Sequence, residues 1–235
     1  SIADTNVTLN TIVADVLMDF ADELEAAEDF RTALHDLIVR TLRRHNRVIF
    51  NGNGYADAWV EEAARRGLPN YASTVDALPH LLDEKNVALY ARQGVFSEAE
   101  LHSRYEISLE YYAKAVNIEA ETCLMMAERE IFPACARFAG EMGRIVRDIR
   151  QAGVEPVAEA KLLKDVAERN AKLFDVIANL RSAIQDTGSH TADAMDNAQY
   201  ERYIIIPAMA KIREIADDLE TLVGKDFWPF PTYDD

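Results

Sequence analysis

From residue 97 to residue 223 the apolar side chains recur at steps of three and four with few interruptions. That spacing places them on one face of a helix and excludes the alternation of a half-buried strand. Within the first stretch the stripe is Leu101, Tyr105, Leu109, Tyr112, Val116, Cys123, Ala127, Ile131, Ala134, Phe138, Met142, Ile145 and Ile149. Ser97 with Glu100 three residues later forms a capping box at its start. Pro133 is its one break and predicts a kink, because proline removes a hydrogen bond and crowds the preceding turn. Unbroken, such a helix would run about 80 Å, too long for one compact core. Gly153 and Pro156 mark a reversal. Leu163, Val166, Asn170, Leu173, Ile177, Leu180 and Ile184 then step 3-4-3-4-3-4, the heptad spacing of bundle packing. Thr187-Gly188-Ser189 marks the next reversal, and Ile205, Met209, Ile212, Ala216, Leu219 and Val223 form the last stripe. Pro207, in Ile206-Pro207-Ala208, echoes Pro133 in Phe132-Pro133-Ala134. The fold class is therefore all-α: short helices and loops packed on a long kinked helix that continues into a three-helix antiparallel bundle.

The N-terminal part is less regular. Leu9, Ile12, Val13, Val16, Leu17, Phe20 and Leu24 make one amphipathic stripe, with Thr8 as candidate N-cap. Phe30, Ala33, Leu34, Leu37, Ile38 and Leu42 make a second, closed by Arg40, Arg43, Arg44 and His45. Val48-Ile49-Phe50 is a short apolar run of extended character, and Asn51-Gly52-Asn53-Gly54 is a turn. Short helices follow around Trp59, ended by Arg65-Arg66-Gly67, from Ser73 or Thr74 to Leu82, and from Asn86 to Arg92, ended by Gly94. The tail from Phe227 to Tyr233, aromatic and proline-locked, reads as an extended strap. Residues 1–45, 46–96, 97–224 and 225–235 are the expected divisions.

Charge removes several function classes. With 41 acidic and 25 basic side chains the net charge is −16. A nucleic-acid tracker needs a clustered basic face, and an anionic membrane surface would repel this chain. No apolar run is long enough to span a bilayer, and Ser1-Ile2-Ala3-Asp4 has no signal-peptide character. Cytoplasmic location is the expectation. The chain starts on serine with a helical pattern close behind, so it reads as part of a longer protein.

The chemistry-bearing residues are few. None of His35, His45, His80, His102 and His190 follows a glutamate by three residues, so the Glu-x-x-His pairs of a di-iron bundle are missing. Glu98 and His102 are spaced four apart, but two residues are not a site. Cys123 and Cys135, twelve apart on one helix, read as buried free thiols. Asn51-Gly52-Asn53-Gly54 lacks the lysine and hydroxyl of a phosphate loop. Arg104, Glu106 and Glu110 suggest an ion-pair network or an interface; Asn170 suggests a register-setting core residue; Met125-Met126 suggests core filling. No catalytic, cofactor-binding or metal residue is assigned.

Six tracts in order carry a family resemblance after the opening Asn10-Thr11-Ile12-Val13-Ala14: Phe50-Asn51-Gly52-Asn53-Gly54-Tyr55, Arg66-Gly67-Leu68-Pro69-Asn70, Asp76-Ala77-Leu78-Pro79, His102-Ser103-Arg104-Tyr105-Glu106-Ile107, Asn117-Ile118-Glu119-Ala120 and Trp228-Pro229-Phe230-Pro231-Thr232-Tyr233. Together they resemble the C-terminal region of type III glutamine synthetase, the large bacterial form, over essentially the whole chain. The resemblance implies a parent enzyme that joins ammonia to L-glutamate with ATP, through γ-glutamyl phosphate, using Mg2+ or Mn2+. It also implies a ring-type homo-oligomer, and catalytic residues lying upstream of Ser1 in a catalytic domain of the same chain. Residues 1–45 would then be the closing helices of that domain. The family's proline near Asp4-Thr5-Asn6-Val7-Thr8 is absent, which leaves the entry to the first helix open. Two consequences are expected: Leu9, Ile12, Val16 and Phe20 are partly exposed or cover each other across a crystal or dimer contact, and the segment has structural and subunit-contact roles without turnover of its own. The alternative is a stand-alone helical scaffold or binding module of the same ancestry.

Overall fold

The computed structural model describes residues 2–190 and 193–231. Among these residues there is no strand, and the chain divides into two compact units, Ser1–Tyr105 and Glu106–Asp235.

The first unit opens with α1 (Ala3–Glu25) and α2 (Phe30–His45). α1 starts before Thr8 and runs straight through residues 4–8, so Thr8 is not its N-cap. The Thr8 hydroxyl instead donates back to Asp4 O at 2.9 Å, inside the helix. Asp29 caps α2, accepting from Arg31 N at 3.1 Å and from the Thr32 hydroxyl at 2.6 Å. In Val48-Ile49-Phe50 a 3-10 turn, Asn46–Val48, leads into loop through Ile49, whose backbone is extended at φ −81°, ψ 116°. α3 (Asp57–Arg65), α4 (Thr74–Ala77) and α5 (Glu84–Arg92) follow. Ser73 rather than Thr74 caps α4, accepting from Asp76 N at 3.3 Å.

α6 (Glu98–Met126) begins on the expected capping box. Glu100 N donates to Ser97 Oγ at 3.3 Å, while Ser97 N donates back to the Glu100 carboxylate at 2.8 Å. In the second unit α7 (Phe132–Gln151), α8 (Val157–Asp186), α9 (Ala194–Tyr200) and α10 (Ile206–Glu220) form the bundle, with α8 packed against both α7 and α10. The turn between α7 and α8 is short because Gly153 adopts φ +83°. That conformation lets Val154 N reach back to Ile149 O at 3.3 Å and Gly153 N to Arg150 O at 3.0 Å, closing the helix end.

Both proline sites are met in the same way. A five-residue π turn, Ala127–Ile131 and Glu201–Ile205, immediately precedes each Phe132-Pro133 and Ile206-Pro207 pair. Proline lacks the donor that an α-helical ladder needs at that point, and its ring crowds the carbonyl four residues back. The wider i→i+5 pattern relieves both demands. The sequence reads a kink at Pro133; the structure carries a π turn just before it, inside one long helix that runs on from Glu98 to Gln151.

The core of this unit is one contiguous cluster. It includes Val116, Ala120, Ile131, Cys135, Phe138, Val166, Leu173, Ile177, Leu180, Ile205, Ile212 and Leu219. At the end of α7 the buried residue is Val146 rather than Ile145, since a step of four from Met142 holds the core phase there. The tail turns at once instead of running extended: Phe227 N and Trp228 N both donate to Gly224 O, at 2.8 and 3.2 Å. Phe227 then meets Phe138 edge-on at 5.4 Å, and Trp228 and Phe230 pack on the core. The Thr232-Tyr233 end of the expected strap lies outside the described residues.

Candidate functional site

The Asn51-Gly52-Asn53-Gly54 turn is closed on itself. Asn53 Oδ1 accepts from Tyr55 N at 3.0 Å. A side chain at Gly52 would strike the Phe50 ring, which stacks on Trp59 with centroids 4.2 Å apart. Arg66 lies over both rings and donates to Ile49 O at 2.8 Å and Arg47 O at 3.2 Å, while Glu62 holds its Nε. These groups pin a loop to α3. His80 stacks on Tyr71 at 3.9 Å and places Nδ1 3.1 Å from Asp83.

The thiols are poor nucleophiles. Burial pushes Cys135 up to about 11 and raises Cys123 as well, which keeps both protonated. Among the described residues no three His, Cys, Asp or Glu side chains gather as a metal centre requires. The residues present therefore do not fit the divalent cation that the resemblance implies for the parent enzyme. Arg104, Glu106 and Glu110 do not share a network: Arg104 lies over Phe96 at 4.1 Å and 3.5 Å from Asp4, and Glu110 pairs with Lys114 at 3.0 Å.

Two polar groups sit where apolar ones are expected. Asn170 is buried in the α8 heptad with its Oδ1 unpartnered. Glu201 is fully buried at the start of the second π turn. Desolvation raises it to about 7; the Asn117 side chain tempers the shift, yet neither carboxylate oxygen closes a well-formed hydrogen bond. Sequence reading passed over Glu201, although it stands four residues before Ile205 on the buried stripe. Between α6 and α10 a cleft of about 600 Å³, a size that suits a small ligand, is walled by Met126, Ile131, Ile212 and Ala216 and roofed by Trp228 and Phe230. Met126 therefore faces a cleft, and Met125 is exposed.

The largest anomaly is α1, which is packed inside out. Its buried residue is Thr11, and its contacts to α5 are polar. Thr8 and Tyr90 share a hydrogen bond of 2.7 Å; Arg92 meets Asp15 at 2.9 Å and also Asp19; Gln93 donates to Asp15 at 2.8 Å. Leu9, Ile12, Val13, Val16 and Leu17, on the opposite side, are exposed, and Phe20 is half-buried. Phe30, Ile38 and Leu42 of α2 are exposed too.

Comparison with known proteins agrees with the tracts read from the sequence. Residues 33–150, half of the chain, match the family described as Glutamine synthetase C-terminal domain. A glutamine synthetase of Butyrivibrio fibrisolvens is 30% identical over 88% of this chain and 30% of its own length. A type-3 glutamine synthetase of Dictyostelium discoideum is 32% identical over 97% of this chain and 32% of its own length. A glutamine synthetase of Bacteroides fragilis is 24% identical over 97% of this chain. The chain thus spans about a third of the length of these relatives. With a type-3 enzyme among relatives that align along nearly its whole length, the chain belongs to the glutamine synthetase family, as its C-terminal domain.

Proposed function

We propose that this chain is the non-catalytic C-terminal portion of an ATP-dependent glutamate–ammonia ligase, supporting the catalytic portion and contributing subunit contacts. The intact enzyme would be a cytoplasmic homo-oligomer that forms glutamine through γ-glutamyl phosphate, with Mg2+ or Mn2+ and ATP held by residues outside this chain. One observation carries the reading: α1 presents polar groups inward and its apolar stripe outward. Exposing that stripe is unfavourable by roughly 25 cal/mol for each Å² left in water. The matched family is C-terminal by description and the relatives are about three times as long, so a preceding portion is available to cover it.

The test is a γ-glutamyl transfer assay on this chain alone and on the chain joined to its catalytic portion. The isolated chain is expected to be inactive, and the joined chain active. Transfer by the pure 235-residue chain would overturn the reading.

A further inference from the structure

α6 has two apolar faces. Leu109, Ala113, Val116, Ala120 and Ala127 form the buried one. At 100° per residue the opposite side carries Ile107, Tyr111, Ile118 and Met125, which are 62, 75, 64 and 44% exposed. These four step 4-7-7 and occupy a and d positions of one heptad: Tyr111, Ile118 and Met125 at a, Ile107 at d. The remaining two d positions hold Lys114 and Glu121, both exposed. A helix with apolar residues all round is normally covered all round. Here a row about 27 Å long, within the unit Glu106–Asp235, has no cover.

We propose that this row is a self-association seam, packing antiparallel against the same row of a second copy of the chain. Charge selects the partner and the direction. The row is balanced, with one lysine and one glutamate, while the chain carries −16 overall. A basic partner would gain little here, whereas a self-complementary row suits a two-fold contact. An antiparallel pair centred near Ile118 brings Lys114 of one copy beside Glu121 of the other, twice, and Tyr111 beside Met125. A parallel pair stacks lysine on lysine and glutamate on glutamate. The pair between Lys114 and Glu110 at 3.0 Å is exposed on both sides and exchanges for the new one at small cost. The seam rests on the reading that this domain makes subunit contacts and names the surface. Five turns of helix lie at the small end of stable interfaces, so association in the micromolar range is expected.

Sedimentation of the 235-residue chain across that range tests it, with Lys114→Glu, Glu121→Lys, the double swap, Ile118→Asp and Tyr111→Asp. All these side chains are exposed, so helix content and melting temperature should stay constant and separate association from folding. The wild type should dimerise, each single swap should weaken the dimer by about fivefold, and the double swap should return it to within about twofold. Both aspartate variants should be monomeric. A dimer unaffected by Ile118→Asp and Tyr111→Asp would overturn the seam and leave subunit contact elsewhere standing. Single swaps that weaken without recovery in the double would overturn the antiparallel geometry. A wild type that stays monomeric throughout would overturn both the seam and the subunit-contact reading for this chain.

Discussion

The two units are built on opposite principles. In Glu106–Asp235 the heptad residues of α8 and α10 point into one continuous apolar cluster. In Ser1–Tyr105 the buried residues are scattered, and α1 is held to α5 by hydroxyls, carboxylates and a guanidinium while its apolar stripe faces out. Burial of apolar area is the dominant stabilising contribution, and exposed ion pairs add little. The bundle therefore has a continuous core of its own. In the first unit the apolar stripe of α1 is left uncovered.

The sharpest way to break this contrast is to open the bundle core. Leu173→Ala should lower unfolding free energy by about 2–5 kcal/mol, because Leu173 is fully enclosed and its neighbours cannot collapse around the loss. A urea titration followed by circular dichroism measures it. A loss below about 1 kcal/mol would remove the claim that this unit is close-packed.

Glu201 sharpens the contrast from the other side, since with Asn170 it is one of the bundle's own misplaced polar groups. Its carboxyl ionises at its ordinary value of 4.5 when unfolded but only at about 7 when folded. Stability linked to it is therefore complete below pH 4.5, falls as pH rises toward 7, and stays lowered above. At 1.36 kcal/mol per unit the full loss is roughly 3 kcal/mol. Glu201→Gln keeps the shape without the ionisation, so the difference between wild type and variant should open across that window. Asp29, Glu62 and Glu100, held below their ordinary values by hydrogen bonds, act in the opposite sense at lower pH and cancel in that difference. Parallel pH curves would show that Glu201 is solvated.

Much of the second unit was legible because periodicity and burial coincide there. Val166, Leu173, Ile177 and Leu180 are buried as the heptad requires, and the capping box at Ser97 forms as read. What escaped has physical reasons. The π turns leave no mark beyond their prolines. Tracing a single stripe along α6 hides its second face. A glutamate reads as solvated unless its phase is checked, which is how Glu201 was passed over. Thr8 looks like a cap because hydroxyls favour helix starts, yet α1 begins earlier with no side-chain cap hydrogen bond at all. Most of the α1 stripe was correctly expected to be uncovered, but its polar contacts with α5 have no periodic signature.

Those contacts give a smaller prediction. Tyr90→Phe removes the partner of Thr8 while leaving the Thr8 hydroxyl its bond to Asp4 O, so no buried donor is orphaned. The loss should be near 1 kcal/mol, the net worth of one hydrogen bond, and confined to the first unit. Hydrogen exchange of α1 and α5 amides would register it, with α8 amides unchanged.

The smallest expected effect is the most telling. Ile12→Asp places a charge in the middle of the exposed α1 stripe. If that stripe is open in this chain, the substitution should change stability by less than about 0.5 kcal/mol, as surface changes do. In the chain joined to its catalytic portion the same aspartate would be buried against apolar surface, where an unpaired charge is strongly unfavourable. The joined chain should then lose several degrees of melting temperature, and the isolated chain almost none. Equal losses in both would mean that Ile12 is already covered within these 235 residues. Equal indifference in both would mean that the stripe faces water throughout, and α1 would need another explanation for its inverted faces.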